Sequence, residues 1–107
     1  MKDMHPITEG TFEAEVLESP VPVLVDFATG WCPPCRVLAP ILKQLAAENE
    51  GRVKVVTVDG DECPALAAKF SVRGYPTVVA FAGGRERARL LGATSKEKLM
   101  QMVDGCR

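Results

Sequence analysis

A short run in the first third of the chain, Val23-Leu24-Val25-Asp26-Phe27, constrains the fold more than any other segment. Four of its five residues are apolar, so the pattern is continuous rather than alternating. Continuous apolar strands are typical of sheets covered on both faces, where they lie in central and mostly parallel positions. The run therefore predicts an α/β protein, and it leaves one acid, Asp26, to be explained.

The segments around this run alternate between strand and helix patterns, which is the signature of parallel crossover units followed by a hairpin. Strands are predicted at 4–8, 23–27, 53–58, 77–81 and 85–91, and helices at 11–19, 34–49, 64–70 and from 95 onward. Thr11 is predicted to cap the first helix, and Ser95, or Thr94 in a capping box with Glu97, the last. This order predicts a mixed central sheet flanked by helices on both faces.

The composition fits one module. With 107 residues, of which 47% are hydrophobic and 25% charged, we expect a single domain over residues 1–107 with one core. A net charge of −1 gives no electrostatic signature of nucleic-acid binding, and no apolar run approaches the ~18 residues of a membrane helix. The first residues lack the apolar segment of a secretory signal. We therefore expect a cytoplasmic monomer that binds neither nucleic acid nor membranes.

A Cys-X-X-Cys pair lies where the apolar strand gives way to the longest predicted helix, in Trp31-Cys32-Pro33-Pro34-Cys35. The N-terminus of a helix stabilises an anion, so Cys32 is predicted to ionise more easily than a free thiol and to act as a nucleophile. Cys35 lies within one turn and is predicted to resolve a mixed disulfide formed on Cys32. Pro34 suits the first helical turn, where an N–H has no partner, and Pro33 stiffens the loop.

The same pair also fits half of a zinc knuckle, and a binding module is the alternative class of function. The further ligands available are Cys63, Cys106 and His5, and none of them forms a second knuckle, so no metal site is predicted. Cys63 is either an exposed thiol or a small buried residue, and the inert, buried interpretation is favoured. Cys106 is interpreted as a frayed, free thiol near the chain end.

Asp26 is interpreted as either an exposed edge carboxylate or a buried acid whose pKa is raised by desolvation. Its apolar neighbours favour the buried alternative. A buried acid six residues before Cys32 would lie behind the thiol pair and relay protons to Cys35.

Taken together, several strings resemble the thioredoxin family in order and spacing, over about residues 4–104. They are Val-Asp-Phe at 25–27, Trp-Cys-Pro-Pro-Cys at 31–35, Ala-Pro at 39–40, Val-Asp at 58–59, Val-Arg-Gly-Tyr-Pro-Thr at 72–77 and Gly-Ala at 92–93. A WCxPC motif after such a strand, combined with a distant Gly-x-Pro-Thr, is highly specific. The resemblance implies a thioredoxin-like fold and reversible exchange between dithiols and protein disulfides.

The resemblance also assigns roles to residues away from the cysteines. Pro76 would follow a cis peptide bond and face the two thiols, and the backbone of Tyr75 would pair with an extended substrate. Trp31 would be the surface aromatic residue beside the site, and Gly74 and Gly92 would keep the docking surface flat. The expected electron donor is a thioredoxin reductase, a flavoprotein supplied by NADPH or by another electron donor, and no cofactor is expected to be bound. Oxidising, isomerising or partner-dedicated relatives use the same chemistry and remain alternatives.

Three positions depart from the family pattern. Ala28 replaces a tryptophan, Val55 replaces the lysine that usually pairs with the buried acid, and Pro33 replaces the glycine between the cysteines. Without the lysine, desolvation is expected to keep Asp26 neutral to higher pH, so that less negative charge opposes the Cys32 thiolate. Pro33 also limits the freedom of the active-site loop to relax. For both reasons we expect a more oxidising redox potential than that of a glycine-containing relative.

Overall fold

The computed structural model describes residues 4–106. Its strands are β1 (His5–Pro6), β2 (Val23–Ala28), β3 (Lys54–Asp59), β4 (Thr77–Ala82) and β5 (Arg85–Leu91). Its helices are α1 (Pro33–Glu48), α2 (Pro64–Lys69) and α3 (Lys96–Asp104), with one π-helical segment at Glu13–Leu17. The predicted order of strands and helices is confirmed.

The strands form one mixed sheet in the order β1-β3-β2-β4-β5. β2 lies at the centre, parallel to β3 and antiparallel to β4, and its apolar run is fully buried, as its sequence predicts. The register pairs Ala28 with Asp59, Phe27 with Thr77, and Thr77 with Leu91. The end of β2, the end of β3, the start of β4 and the end of β5 therefore lie along the same edge of the sheet.

Helices cover both faces of the sheet, which confirms the predicted fold class. On one face, α1 and α3 bury Leu38, Leu42 and Leu99 against strand residues that include Leu24 and Val55. On the other face, the π-helical segment and α2 pack onto the alternate strand residues. The core of that face includes Phe12, Val16, Val25, Phe27 and Leu66. Because neighbouring strand residues point to opposite faces, β2 contributes to both cores.

Three local predictions need correction. Thr11 does not cap the first helix: its hydroxyl accepts the N–H of Thr8 at 3.0 Å, closing a turn, and the helix begins after Phe12 with no side-chain cap. Helix α1 begins at Pro33, one residue earlier than predicted. Cys106 is not frayed, because it is 8% exposed and packs into the core between the sheet and α3.

Candidate active site

Cys32 and Cys35 form a disulfide at the start of α1, with their Cα atoms 5.2 Å apart. Cys32 is the N-cap residue, and its Sγ accepts the backbone N–H of Cys35 at 3.2 Å. The two residues between them are prolines in the first helical turn, and neither has an N–H. The N–H of Cys35 is therefore the first one in α1, and the fold directs it at the sulfur of Cys32.

This geometry distinguishes the two sulfurs, whereas their exposure does not. In the disulfide form Cys32 is 2% exposed and Cys35 is 5% exposed. Cys32 lies at the end of the helix dipole and accepts a hydrogen bond from the helix backbone, and both features stabilise a negative charge on its sulfur. Cys35 lies inside the first turn. The arrangement favours Cys32 as the thiolate.

Asp26 is buried, as its apolar neighbours predict: it is 2% exposed, and its Oδ1 has no hydrogen-bond partner within residues 4–106. Burial raises the pKa of this carboxyl to about 7. Since side chains alternate along β2, Asp26 lies on the face that carries Leu24 and is covered by α1. On the adjacent strand, Val55 is apolar and 2% exposed, so this position supplies no cation to offset the desolvation.

Two aromatic side chains, Trp31 and Tyr75, pack against each other beside the disulfide. The ring of Trp31 is 64% exposed and meets the ring of Tyr75 edge to face, with centroids 6.2 Å apart. Its indole Nε1 donates to Asp61 Oδ2 at 2.8 Å. Burial, together with the charges of Asp61 and Asp59, raises the pKa of the Tyr75 phenol. These contacts hold the Trp31 side chain in a fixed orientation. Its exposed position is the one that the sequence resemblance predicts.

The strand ends bring the other predicted docking residues to the same edge. The peptide bond between Tyr75 and Pro76 is cis, and the Pro76 carbonyl accepts the N–H of Gly92 at 2.8 Å. Gly92 has a φ of +97°, a conformation that favours glycine. At Gly74 a Cβ would lie 3.1 Å from the side chain of Leu91, which is itself 68% exposed. Gly74, Pro76 and Gly92 therefore lie together at this edge of the sheet, with the exposed Leu91 beside them.

Gly60 controls the position of Tyr75. A Cβ at position 60 would overlap the Tyr75 hydroxyl and ring, so the tyrosine lies directly over the glycine. We predict that Gly60→Ala displaces Tyr75, lowers the free energy of unfolding by ~1–3 kcal/mol as overpacking does, and raises the KM for a protein disulfide. Chemical denaturation and steady-state kinetics measure both effects. Gly10→Ala is the control, because a Cβ there would lie 3.9 Å from the nearest atom, Thr8 Oγ1, which is an ordinary contact; equal effects of the two substitutions would contradict the prediction.

Cys63 and Cys106 lie in different cores, on opposite faces of the sheet, and both are free thiols. Burial raises the pKa of both, and nearby carboxylates raise that of Cys63 further. The interpretation of Cys63 as a buried, unreactive residue therefore agrees with the structure. Neither thiol belongs to the site.

We expect the double variant Cys63→Ser/Cys106→Ser to keep disulfide-reducing turnover within about twofold of the native protein, because neither thiol has the features that activate a cysteine. Turnover with a protein disulfide, at a concentration of folded protein set by circular dichroism, measures this. A loss of ~10-fold or more would show that one of them takes part in the reaction.

The sequence interpretation missed Asp61, Gly60 and Arg36. Asp61 and Gly60 belong to the turn after β3, and they reach Trp31 and Tyr75 across the sheet edge. The Arg36 guanidinium donates to the Gly30 carbonyl at 3.1 Å and so holds the loop before Cys32. The sequence gives a signal only for the first two, since an Asp-Gly-Asp turn at the carboxyl end of a parallel strand is a usual place for functional residues.

The comparisons with known proteins agree with this site. The family model described as Thioredoxin matches residues 3–105. The chain belongs to the thioredoxin family. It is 44% identical over 98 residues to thioredoxin 1 of Nostoc sp., covering 92% of each chain. It is also 42% identical to a thioredoxin of Allochromatium vinosum, again over 92% of each chain. With the chloroplastic M-type thioredoxin of Chlamydomonas reinhardtii it shares 40% identity, over 92% of this chain and 70% of the relative.

Membership of the thioredoxin family and the bonded Cys32–Cys35 pair identify the protein as a thiol-disulfide oxidoreductase with a redox-active disulfide. Residues 4–106 contain no group of three or more metal-ligating side chains that could hold an ion. Over the same residues, no helix has both the length and the apolar character needed to cross a membrane.

Proposed function

We propose that this thioredoxin-family protein acts as a reductant of protein disulfides, with Cys32 as the nucleophile. The Cys32 thiolate attacks one sulfur of the substrate disulfide, that S–S bond breaks, and the departing substrate thiolate takes up a proton. Cys35 then loses its proton and attacks Cys32 in the mixed disulfide, which releases the second substrate thiol. Two electrons pass to the substrate, and the protein is left with the Cys32–Cys35 disulfide. The hydrogen bond from the Cys35 N–H to the Cys32 sulfur carries this assignment.

Asp26 is the proposed acceptor of the Cys35 proton, directly or through one water. It lies on the face of β2 that α1 covers, and α1 is the helix that carries Cys35. A general base works best when its pKa is close to the working pH, and burial raises the pKa of Asp26 to about 7. An ordinary surface aspartate would remain ionised and be a weaker base.

The proposed substrate-binding surface consists of Trp31, Pro33, Pro34, Gly74, Tyr75, Pro76 and Gly92. Trp31 and the two prolines are exposed beside the disulfide. Tyr75 makes no backbone hydrogen bond within residues 4–106, so its N–H and C=O are free to pair with an extended substrate segment. Such pairing recognises any extended chain, which suits a reductant with several protein substrates.

The proposed electron donor is a thioredoxin reductase, a flavoprotein supplied by NADPH, and the domain itself holds no cofactor. We also propose that the protein works as a monomer in the cytoplasm. The test is reconstitution: with reductase and NADPH, a disulfide-containing protein is expected to be reduced while NADPH is consumed in equal amount. Reduction by a chemical dithiol but not by the reductase would contradict this donor. Failure with both donors would favour the binding-module alternative if metal analysis also finds zinc in protein that was purified in the reduced state and without a chelator.

The redox potential is predicted to be more oxidising than that of variants restoring the usual family residues. A neutral Asp26 does not oppose the Cys32 thiolate, and a stabilised thiolate favours the reduced protein. Pro33→Gly, and Val55→Lys relative to the neutral control Val55→Met, are each expected to lower the potential by roughly 30 mV, which is ~1.4 kcal/mol for a two-electron couple. Equilibration with a glutathione buffer measures the values. Unchanged or raised potentials in both variants would contradict the prediction.

A further inference from the structure

A cavity of about 390 Å³ opens at the carboxyl ends of β1, β2 and β3, beside the loop that leads to Cys32. Its lining includes Ile7, Ala28, Thr29, Asp59, Glu62 and Cys63. The carboxyl ends of parallel strands are where α/β proteins usually bind ligands. None of the steps proposed above uses this cavity.

The wall of the cavity combines apolar residues with three threonines, Thr8, Thr29 and Thr57. Ile7 and Cys63 are buried members of the core, and Ala28 contributes only a methyl group. Thr29 is 6% exposed, and its Oγ1 has no hydrogen-bond partner within residues 4–106. This oxygen is closed off from the cavity, so the polar contacts of a ligand would lie at the rim.

The rim of the cavity is acidic. Asp59 and Glu62 line it. Glu9 is also close, because the charges of Glu9, Glu62 and Asp59 all raise the pKa of the Cys63 thiol. Asp59 uses Oδ1 to accept the N–H groups of Asp61 and Glu62 at 2.8 and 3.2 Å, which leaves Oδ2 available. Arg36, which is held on the Gly30 carbonyl beside this rim, offsets one of these three negative charges.

We infer that this cavity, which we name the Ala28 pocket, binds an arginine side chain of the protein whose disulfide is being reduced. This inference rests on the proposed reductase function. Arginine has an apolar stem that fits the walls and a planar group of five N–H donors. That group can bond the free Oδ2 of Asp59 and the carboxylate of Glu62 together. Gly30 forms part of the lining two residues before Cys32, so a substrate cysteine at Cys32 places nearby side chains at the pocket.

The test uses disulfide peptides that each carry one arginine, placed one to five residues from the reactive cysteine. Each is paired with a peptide in which citrulline, a neutral analogue of the same shape, replaces the arginine. At the best position, the kcat/KM of the native protein is expected to be ~10-fold higher for arginine than for citrulline, as for a hydrogen bond between charged groups. Ratios near one at every position would overturn the inference.

Two variants separate the pocket from the general negative charge of the surface. Ala28→Leu fills the pocket and keeps every charge. The arginine preference, which is the ratio of kcat/KM for the arginine and citrulline peptides, is therefore expected to fall to about twofold or less. Glu62→Gln is expected to reduce it by ~3-fold or more, whereas Asp104→Asn, which removes the same charge from an exposed position on α3, leaves it unchanged. A preference that survives Ala28→Leu, or that falls equally in the two charge variants, would overturn the inference.

The same data distinguish a failure of the pocket inference from a failure of the proposed reductase function. If the citrulline peptides are reduced but arginine brings no gain, only the pocket is wrong. If no peptide is reduced, the reductase function fails and the pocket fails with it. If Ala28→Leu does not fold, the comparison of Glu62→Gln with Asp104→Asn decides the question.

Discussion

Cys32→Ser is expected to lose disulfide-reducing turnover by at least ~10³-fold, because it removes the sulfur that attacks the substrate. Cys35→Ser is expected to lose turnover as completely, but for a different reason. Its Cys32 thiolate still attacks the substrate disulfide once, and the mixed disulfide then persists because no resolving thiol remains. The two variants therefore have the same steady-state rate and different single-turnover behaviour.

A rapid-mixing experiment with one equivalent of a disulfide substrate distinguishes them. Cys35→Ser should release one substrate thiol per protein molecule, and Cys32→Ser should release almost none. The double variant Cys63→Ser/Cys106→Ser serves as the control, since it lacks two thiols but keeps the pair. A burst from Cys32→Ser and none from Cys35→Ser would reverse the roles of the two cysteines.

Asp26→Asn is expected to stabilise the protein strongly above neutral pH and hardly at all near pH 4. The pKa of Asp26 rises from an ordinary value of 3.8 to about 7 on folding, so between these values the folded protein binds a proton that the unfolded chain lacks. Stability that is present below pH 3.8 is therefore lost as the pH rises, and the loss is complete above about pH 7. The two pKa values correspond to a total loss of about 4 kcal/mol.

Asparagine resembles the protonated acid in shape and does not ionise, so the variant does not lose this stability as the pH rises. Denaturant unfolding of the oxidised protein measures the effect at pH 4 and pH 8.5. The variant should exceed the native protein by roughly 3–4 kcal/mol at pH 8.5 and lie within about 1 kcal/mol of it at pH 4. Asp104→Asn, at an exposed position, should show no such difference. An equal effect of Asp26→Asn at both pH values would show that Asp26 does not titrate near 7.

The sequence predicts the site well where local physics decides the outcome. The apolar run around Asp26 is enough to predict a buried central strand and a buried acid, since a solvated carboxylate does not suit a strand covered on both faces. The position of Cys32 at a helix start is also local. It follows from two prolines that fit the first helical turn and from the helical spacing of the apolar residues after them.

Features that depend on packing between distant segments were not predictable in this way. The contact of Tyr75 with Gly60 joins the turn after β3 to the loop before β4. Neither segment has a sequence pattern that indicates contact with the other. The position of Cys106 near the chain end predicts a frayed thiol, but the turn after α3 packs this residue into the core against the sheet. The orphan hydroxyl of Thr29 depends on the surrounding backbone, which only the three-dimensional fold defines.

Cys32 attacks the substrate and Cys35 completes the exchange in the proposed reaction, and the mass of the trapped intermediate shows which cysteine attacks first. Cys35→Ser is mixed with a peptide disulfide, quenched in acid, digested without reductant, and mapped by mass spectrometry. We predict one equivalent of half-peptide on Cys32, none on Cys63 or Cys106, and no adduct in the native protein, which resolves it. An adduct on any other cysteine, or no adduct at all, would show that Cys32 is not the nucleophile.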